Sequence, residues 1–112
     1  MQIYHNPRCR KSREGLEILN KSGQDFEIVD YLNNPPDEKT LKSVLKKLGM
    51  KPETLIRKNE AIWKENYKGK TFTDDEFVKI MVENPKLIER PIVINGNKAV
   101  LGRPPEKMWE IL

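Results

Sequence analysis

A single cysteine, Cys9, and a single histidine, His5, stand in this 112-residue chain. One cysteine excludes an internal disulfide and a cysteine-rich metal centre, and one histidine argues against a histidine-based site. The sequence therefore predicts no bound metal and no bound cofactor. No apolar run is long enough for a membrane span, and the N-terminus lacks a signal-peptide pattern. A lone thiol in such a chain fits the reducing cytoplasm. Repeats and low-complexity segments are also missing. Lys and Arg number 21 against 17 Asp and Glu, a net charge of +4. That basic balance comes without a nucleic-acid recognition motif or an aromatic and basic strand pattern. The charges are interleaved, as in Asp37-Glu38-Lys39, and read as a solvated surface. Neither nucleic acid nor membrane is an expected partner. No apolar stripe is left over for a subunit interface, which favours a monomer.

What the chain does contain is regular punctuation. Its length suits one domain with one core. Residues 1–4 read as a strand, and residues 11–21 as a helix carrying Leu16 and Leu19 and stopped by Ser22-Gly23. Residues 26–31 read as a second strand. Asn33-Asn34-Pro35-Pro36 breaks it and opens a helix with Leu41, Val44, Leu45 and Leu48 on one face, ending at Gly49. A shorter helix follows Pro52. Residues 58–70 look irregular and polar, with Trp63 and Tyr67 as anchors. Thr73-Asp74-Asp75-Glu76 is a capping box for a helix carrying Phe77, Ile80 and Met81, which Asn84-Pro85 ends. Residues 91–94 and 98–101, joined through Asn95-Gly96, form a β-hairpin. Pro104-Pro105 opens a final helix through Met108, Trp109 and Leu112. The order is strand, helix, strand, a helical block, then hairpin and helix. The first unit favours two parallel strands, and the hairpin adds an antiparallel pair. The expected fold is α/β: a four-stranded mixed sheet flanked by helices, with a helical insert at about residues 35–85, all in one domain over 1–112.

Chemistry concentrates at the first strand-to-helix junction. Of residues 4–13, Arg8, Arg10, Lys11 and Arg13 are cationic, and Cys9 lies among them. A lone cysteine is by default a small buried hydrophobe. Just before a helix, among cations, it is instead placed to be a thiolate. Ser12 stands where a Cys-x-x-Cys pair would have its second cysteine. Serine closes no disulfide, so any adduct on Cys9 needs a thiol from outside. The Ser12 hydroxyl can donate to the thiolate or a bound anion, or cap the helix. His5, four residues before Cys9, can tune the thiolate or serve as a structural hydrogen-bonder. Arg57, Arg90 and Arg103 follow or flank apolar segments and offer planar donors for an oxyanion. Arg90 and Arg103 flank one hairpin and can meet in space. Arg90-Pro91 is a candidate cis peptide.

His5-Asn6-Pro7-Arg8-Cys9-Arg10-Lys11-Ser12-Arg13, Asn34-Pro35-Pro36, Leu55-Ile56-Arg57-Lys58-Asn59, the stretch from Leu87 to Ile94, and Gly102-Arg103-Pro104 occur together, in this order. In that combination, nearly the whole chain resembles the glutaredoxin-coupled arsenate reductase family. The resemblance implies a thioredoxin-like fold with Pro91 as its cis proline. It implies Cys9 as nucleophile, assisted by His5, with Arg57, Arg90 and Arg103 binding the anion. It also implies reduction of arsenate to arsenite through a Cys9–arsenic adduct that glutathione and glutaredoxin resolve. Two other readings of the same residues are a glutathione-dependent thiol reductase of another substrate, and a redox-responsive transcription regulator that binds RNA polymerase. Such regulators typically carry Cys-x-x-Cys, where this chain has Ser12.

Overall fold

Ile28, Ile3, Val93 and Val100 fall in register across four short strands, and the sheet is built on that apolar row. The computed structural model describes residues 1–112. Strands β1 (Gln2–Tyr4), β2 (Glu27–Val29), β3 (Ile92–Asn95) and β4 (Lys98–Leu101) lie in the order β2-β1-β3-β4. β1 pairs with β2 in parallel and with β3 antiparallel, so the sheet is mixed. Helix α1 (Arg10–Ser22) connects the parallel pair. Leu19 of α1 packs with Ile3, Val93 and Met108, all fully buried. Met108 belongs to a 3₁₀ helix, Pro105–Glu110, so both helical elements of this unit share the Ile3/Val93 face.

The chain forms two compact units. One joins both ends of the sequence, Met1–Asn34 with Arg90–Leu112, and contains the whole sheet. The other, Pro35–Glu89, is helical. It holds α2 (Glu38–Leu48), α3 (Ala61–Asn66) and α4 (Asp74–Glu83), with 3₁₀ turns at Pro52–Leu55 and Pro85–Leu87. Its core is Leu41, Val44 and Leu45 of α2 with Phe77, Val78, Ile80 and Met81 of α4. Backbone bonds from Arg57 N–H to the Leu87 carbonyl (2.8 Å) and from Glu89 N–H to the Leu55 carbonyl (2.9 Å) tie two Leu-Ile segments together. No helix is long and apolar enough to cross a membrane.

Several boundaries differ from the sequence expectation. The helical unit runs to Glu89 rather than about residue 85. β2 is three residues long instead of the six expected at 26–31, because the chain turns at Tyr31, whose ring stacks on Tyr4 at 5.9 Å. The last helix is 3₁₀ and stops at Glu110. The stretch at 58–70 contains α3, whose Trp63 is buried among Tyr67, Phe72 and Phe77. Two peptides are cis, Arg90–Pro91 and Arg103–Pro104; the second had no sequence signal.

Pro91 is wedged between two glycines. A Cβ on Gly15 would stand 2.9 Å from Pro91 Cγ and 3.0 Å from Met108 Sδ. A Cβ on Gly102 would stand 2.9 Å from the same Pro91 Cγ. Both approaches are closer than real side chains tolerate, so α1 and the end of β4 sit this near Pro91 only because neither position has a side chain. Gly15→Ala is therefore expected to destabilise the fold. Overpacking costs about 1–3 kcal/mol, against which alanine regains about 1 kcal/mol of helix propensity. A net loss of up to about 2 kcal/mol should appear as a lower urea midpoint. An unchanged or raised midpoint would show that this contact is slack.

Candidate active site

The start of α1 runs against the usual helix rule. Acidic side chains favour a first turn because they face the positive end of the helix dipole. α4 obeys, with Asp74, Asp75 and Glu76 in its first turn and a complete Thr73–Glu76 capping box. α1 has no acid in its first turn and opens with Arg10 and Lys11. Glu14, one turn on, offsets part of that charge at 3.2 Å from Arg10 and 3.7 Å from Lys11. A helix end that concentrates positive charge in this way is suited to hold an anion.

The cap residue at that end is Cys9, extended at φ −96° and ψ 122°. The loop before it is tightly bonded. Arg8 N–H donates to Asn6 Oδ1, Cys9 N–H to the Asn6 carbonyl, and Arg13 Nη1 to the Pro7 carbonyl, each at 3.0 Å. Cys9 is buried, 8% exposed. Burial pushes its thiol up, but the Ser12 backbone N–H, the charge and hydrogen bond of Arg90, and the Lys11 N–H together outweigh it. The thiol is thus held below its ordinary range, which favours the thiolate. The sulfur makes no conventional capping bond; the amides act on it as the oriented donors of the open helix end.

Two arginines from the ends of the hairpin complete this surrounding. Arg103 Nη2 stands 3.8 Å from Cys9 Sγ, and Arg103 Nε donates to the Arg90 carbonyl at 2.8 Å. Arg90, itself 8% exposed, precedes the cis bond to Pro91. Cys9, Arg90 and Arg103, 94 residues apart at the extremes, are therefore brought together. Arg57 lies in the helical unit, where its guanidinium pairs with Glu60 and, at 3.5 Å, with Glu89.

Behind the sulfur, Ser12 is fully buried. Its Oγ accepts from Asn6 N–H at 2.9 Å and lies 2.7 Å from His5 Nδ1. The sequence offered the Ser12 hydroxyl as a donor to the thiolate or a bound anion, or as a helix cap. In the structure it is engaged by His5 and Asn6, and the Ser12 backbone N–H is what favours the thiolate. Burial lowers the His5 pKa, a hydrogen bond with the Ser12 backbone opposes that shift, and the Arg13 charge adds to it. His5 is accordingly biased to its neutral form. Sequence reasoning missed Gly15 and Gly102, which let α1 and β4 close on Pro91 beside the site. The available signal was a glycine inside a helical pattern, a costly choice that usually has a packing reason.

A family model, the ArsC family, matches residues 4–111. An arsenate reductase of Haemophilus influenzae is 43% identical over 112 residues, covering 98% of this chain and 97% of that protein. An uncharacterized Escherichia coli K12 protein, YfgD, is 46% identical over 114 residues, covering 100% of this chain and 96% of that one. The solved arsenate reductase of Vibrio cholerae superposes with a TM-score of 0.94 at 41% identity, covering 100% of this chain and 98% of that chain.

The two lowered pKa values make stability depend on pH with one sign. Between its lowered folded pKa and the ordinary thiol value, Cys9 binds fewer protons folded than unfolded, so stability rises with pH across that window. His5 contributes on the acid side. Its stabilisation is present above about pH 6.5, the ordinary value, and is lost as pH falls through the lowered folded pKa. Iodoacetamide alkylation followed against pH should give a Cys9 midpoint below the ordinary thiol range. Arg90→Gln should move that midpoint up. A wild-type midpoint at or above the ordinary value would contradict this electrostatic account.

Proposed function

The chain belongs to the ArsC family, and on that footing we propose that it is an arsenate reductase with Cys9 as nucleophile. The observation that carries the reading is a buried cysteine at a cationic helix start, favoured as thiolate, with one guanidinium 3.8 Å from its sulfur. The same positive surroundings suit a tetrahedral oxyanion, because amides and guanidiniums are its usual donors.

In this reaction Cys9 Sγ attacks arsenic, an S–As bond forms, and an arsenate oxygen leaves as water after protonation. Arg90 and Arg103 hold the remaining oxygens and the charge on them. The family resemblance adds Arg57 to the oxyanion ligands. Ser12 and His5 act behind the sulfur, fixing the loop that carries it. A glutathione thiol then displaces a second oxygen as water. A glutaredoxin thiol attacks the glutathione sulfur, and the electron pair of that S–As bond stays on arsenic. Arsenic(V) thereby becomes arsenic(III), glutathione leaves as a mixed disulfide, and water releases arsenite from Cys9. With Ser12 in place of a second cysteine, both later thiols come from outside the chain. The protein works as a monomer in the reducing cytoplasm, with glutathione as reductant and no resident cofactor.

The test is arsenate-dependent NADPH consumption in an assay coupled through glutathione reductase, glutathione and glutaredoxin. Wild-type protein should turn over and Cys9→Ser should not. Arg103→Ala should lose about 10²–10³-fold in kcat/KM, as loss of a donor to developing oxygen charge does. Arg57→Ala tests the assignment that rests on the resemblance and should lower kcat/KM as well. Turnover by Cys9→Ser, or thiol consumption that ignores arsenate, would sink the reading.

A further inference from the structure

Two carboxylates converge on Arg57. Its guanidinium pairs with Glu60 through Nη1 and with Glu89 through Nε, the latter at 3.5 Å. The Arg57 side chain is only 17% exposed. By contrast, Arg10, Lys11, Lys21, Lys42 and Lys58 are each at least 47% exposed and pair with one carboxylate each. The three side chains at Arg57 carry one more negative charge than positive. Stability does not call for this arrangement. The Leu55–Arg57 and Leu87–Glu89 segments are already joined by two backbone bonds and an antiparallel bridge between Ile56 and Ile88. Leu55, Leu87 and Ile88 are fully buried. Glu60 N–H donates to the Arg57 carbonyl at 3.2 Å, closing the turn that carries the other acid. The backbone is thus fixed without the side-chain pairs. A shielded ion pair gains little net stability, because both groups give up water. A second carboxylate on the same cation adds repulsion between the acids.

What the pairs do fix is the direction of the guanidinium. Arginine has five N–H donors in a rigid planar fork. The contacts of Arg57 within the chain use Nε and Nη1, and none uses Nη2. A fork held at two corners presents the third in one direction. A mobile arginine loses rotamer freedom when it grips a ligand, and one that is already ordered does not. We propose, on the footing of the reductase reading, that Glu60 and Glu89 are positioning residues for that reaction. They order the Arg57 guanidinium so that its remaining donors meet the oxyanion, and they act through Arg57 alone. Glu89 is also the residue directly before Arg90. Adjacent side chains thereby serve two of the three arginines assigned to the oxyanion.

The test is a double-mutant cycle in the coupled arsenate assay. Glu60→Gln and Glu89→Gln keep the shape of each side chain and remove its charge. Each should raise KM for arsenate about three- to tenfold. Glu89→Asp keeps the charge but shortens the reach, and should raise KM as well. In an Arg57→Ala background the same replacements should change kcat/KM by less than about twofold. If Arg57→Ala does not fold, Arg57→Gln supplies the background. A merely structural role would lower the urea midpoint and leave KM as it was. Phosphate protection of Cys9 against iodoacetamide reads the same coupling without turnover. The half-protecting concentration should rise by a similar factor in each Gln variant, and the Arg57→Ala background should again abolish the difference. An unchanged KM, or a full effect of the Glu replacements without Arg57, would overturn the proposal. So would a KM that falls when the charge is removed, which would show that the carboxylates repel the oxyanion. Loss of arsenate turnover with the phosphate pattern intact would sink the reductase reading alone. A wild-type protein with neither turnover nor protection would overturn both.

Discussion

Everything at this site depends on one electrostatic balance at the Cys9 sulfur. Burial alone would keep the thiol protonated and inert. The Ser12 and Lys11 amides and the Arg90 guanidinium reverse that outcome. The helix bears a cost for the arrangement, since Arg10 and Lys11 occupy positions where α4 uses acids. A sequence selected only for a stable helix would have put carboxylates there. The cations are better explained by an anion that belongs at this end of α1, first the thiolate and then an oxyanion beside it.

The scaffold supplies the balance from distant parts of the chain. β1 delivers the loop with His5 and Cys9, and the two ends of the β3–β4 hairpin deliver Arg90 and Arg103. Pro91 lies between them, pressed against Gly15 and Gly102. Charge placement and packing are therefore coupled. A methyl group at Gly15 disturbs the same proline that Arg90 leads into.

The parts most legible in the sequence are those with local causes. Asn95-Gly96 marked the hairpin, Thr73 to Glu76 marked the start of α4, and Cys9 among arginines marked the cationic start of α1. What escaped reading depends on contacts made far along the chain. α3 shows little amphipathic pattern because its anchor, Trp63, is buried by Tyr67, Phe72 and Phe77 from outside the helix. The last helix is 3₁₀ although its apolar spacing resembled an α-helix. The Ser12 hydroxyl looked available for chemistry, yet a partner seven residues earlier holds it. Arg57 gave no sign that Glu60 and Glu89 would pair with it, because the link to Glu89 depends on the Leu55 and Leu87 segments meeting.

In the proposed reaction the site is one half of a redox pair: its sulfur is favoured as thiolate, and the chain has no second thiol. The central claim is that this sulfur bonds to arsenic. Arsenic X-ray absorption on wild-type protein incubated with arsenate, before any glutathione or glutaredoxin is added, tests it most directly. The account predicts one sulfur among the arsenic neighbours, lost in Cys9→Ser. An arsenic shell of oxygen alone in the wild-type protein would contradict it.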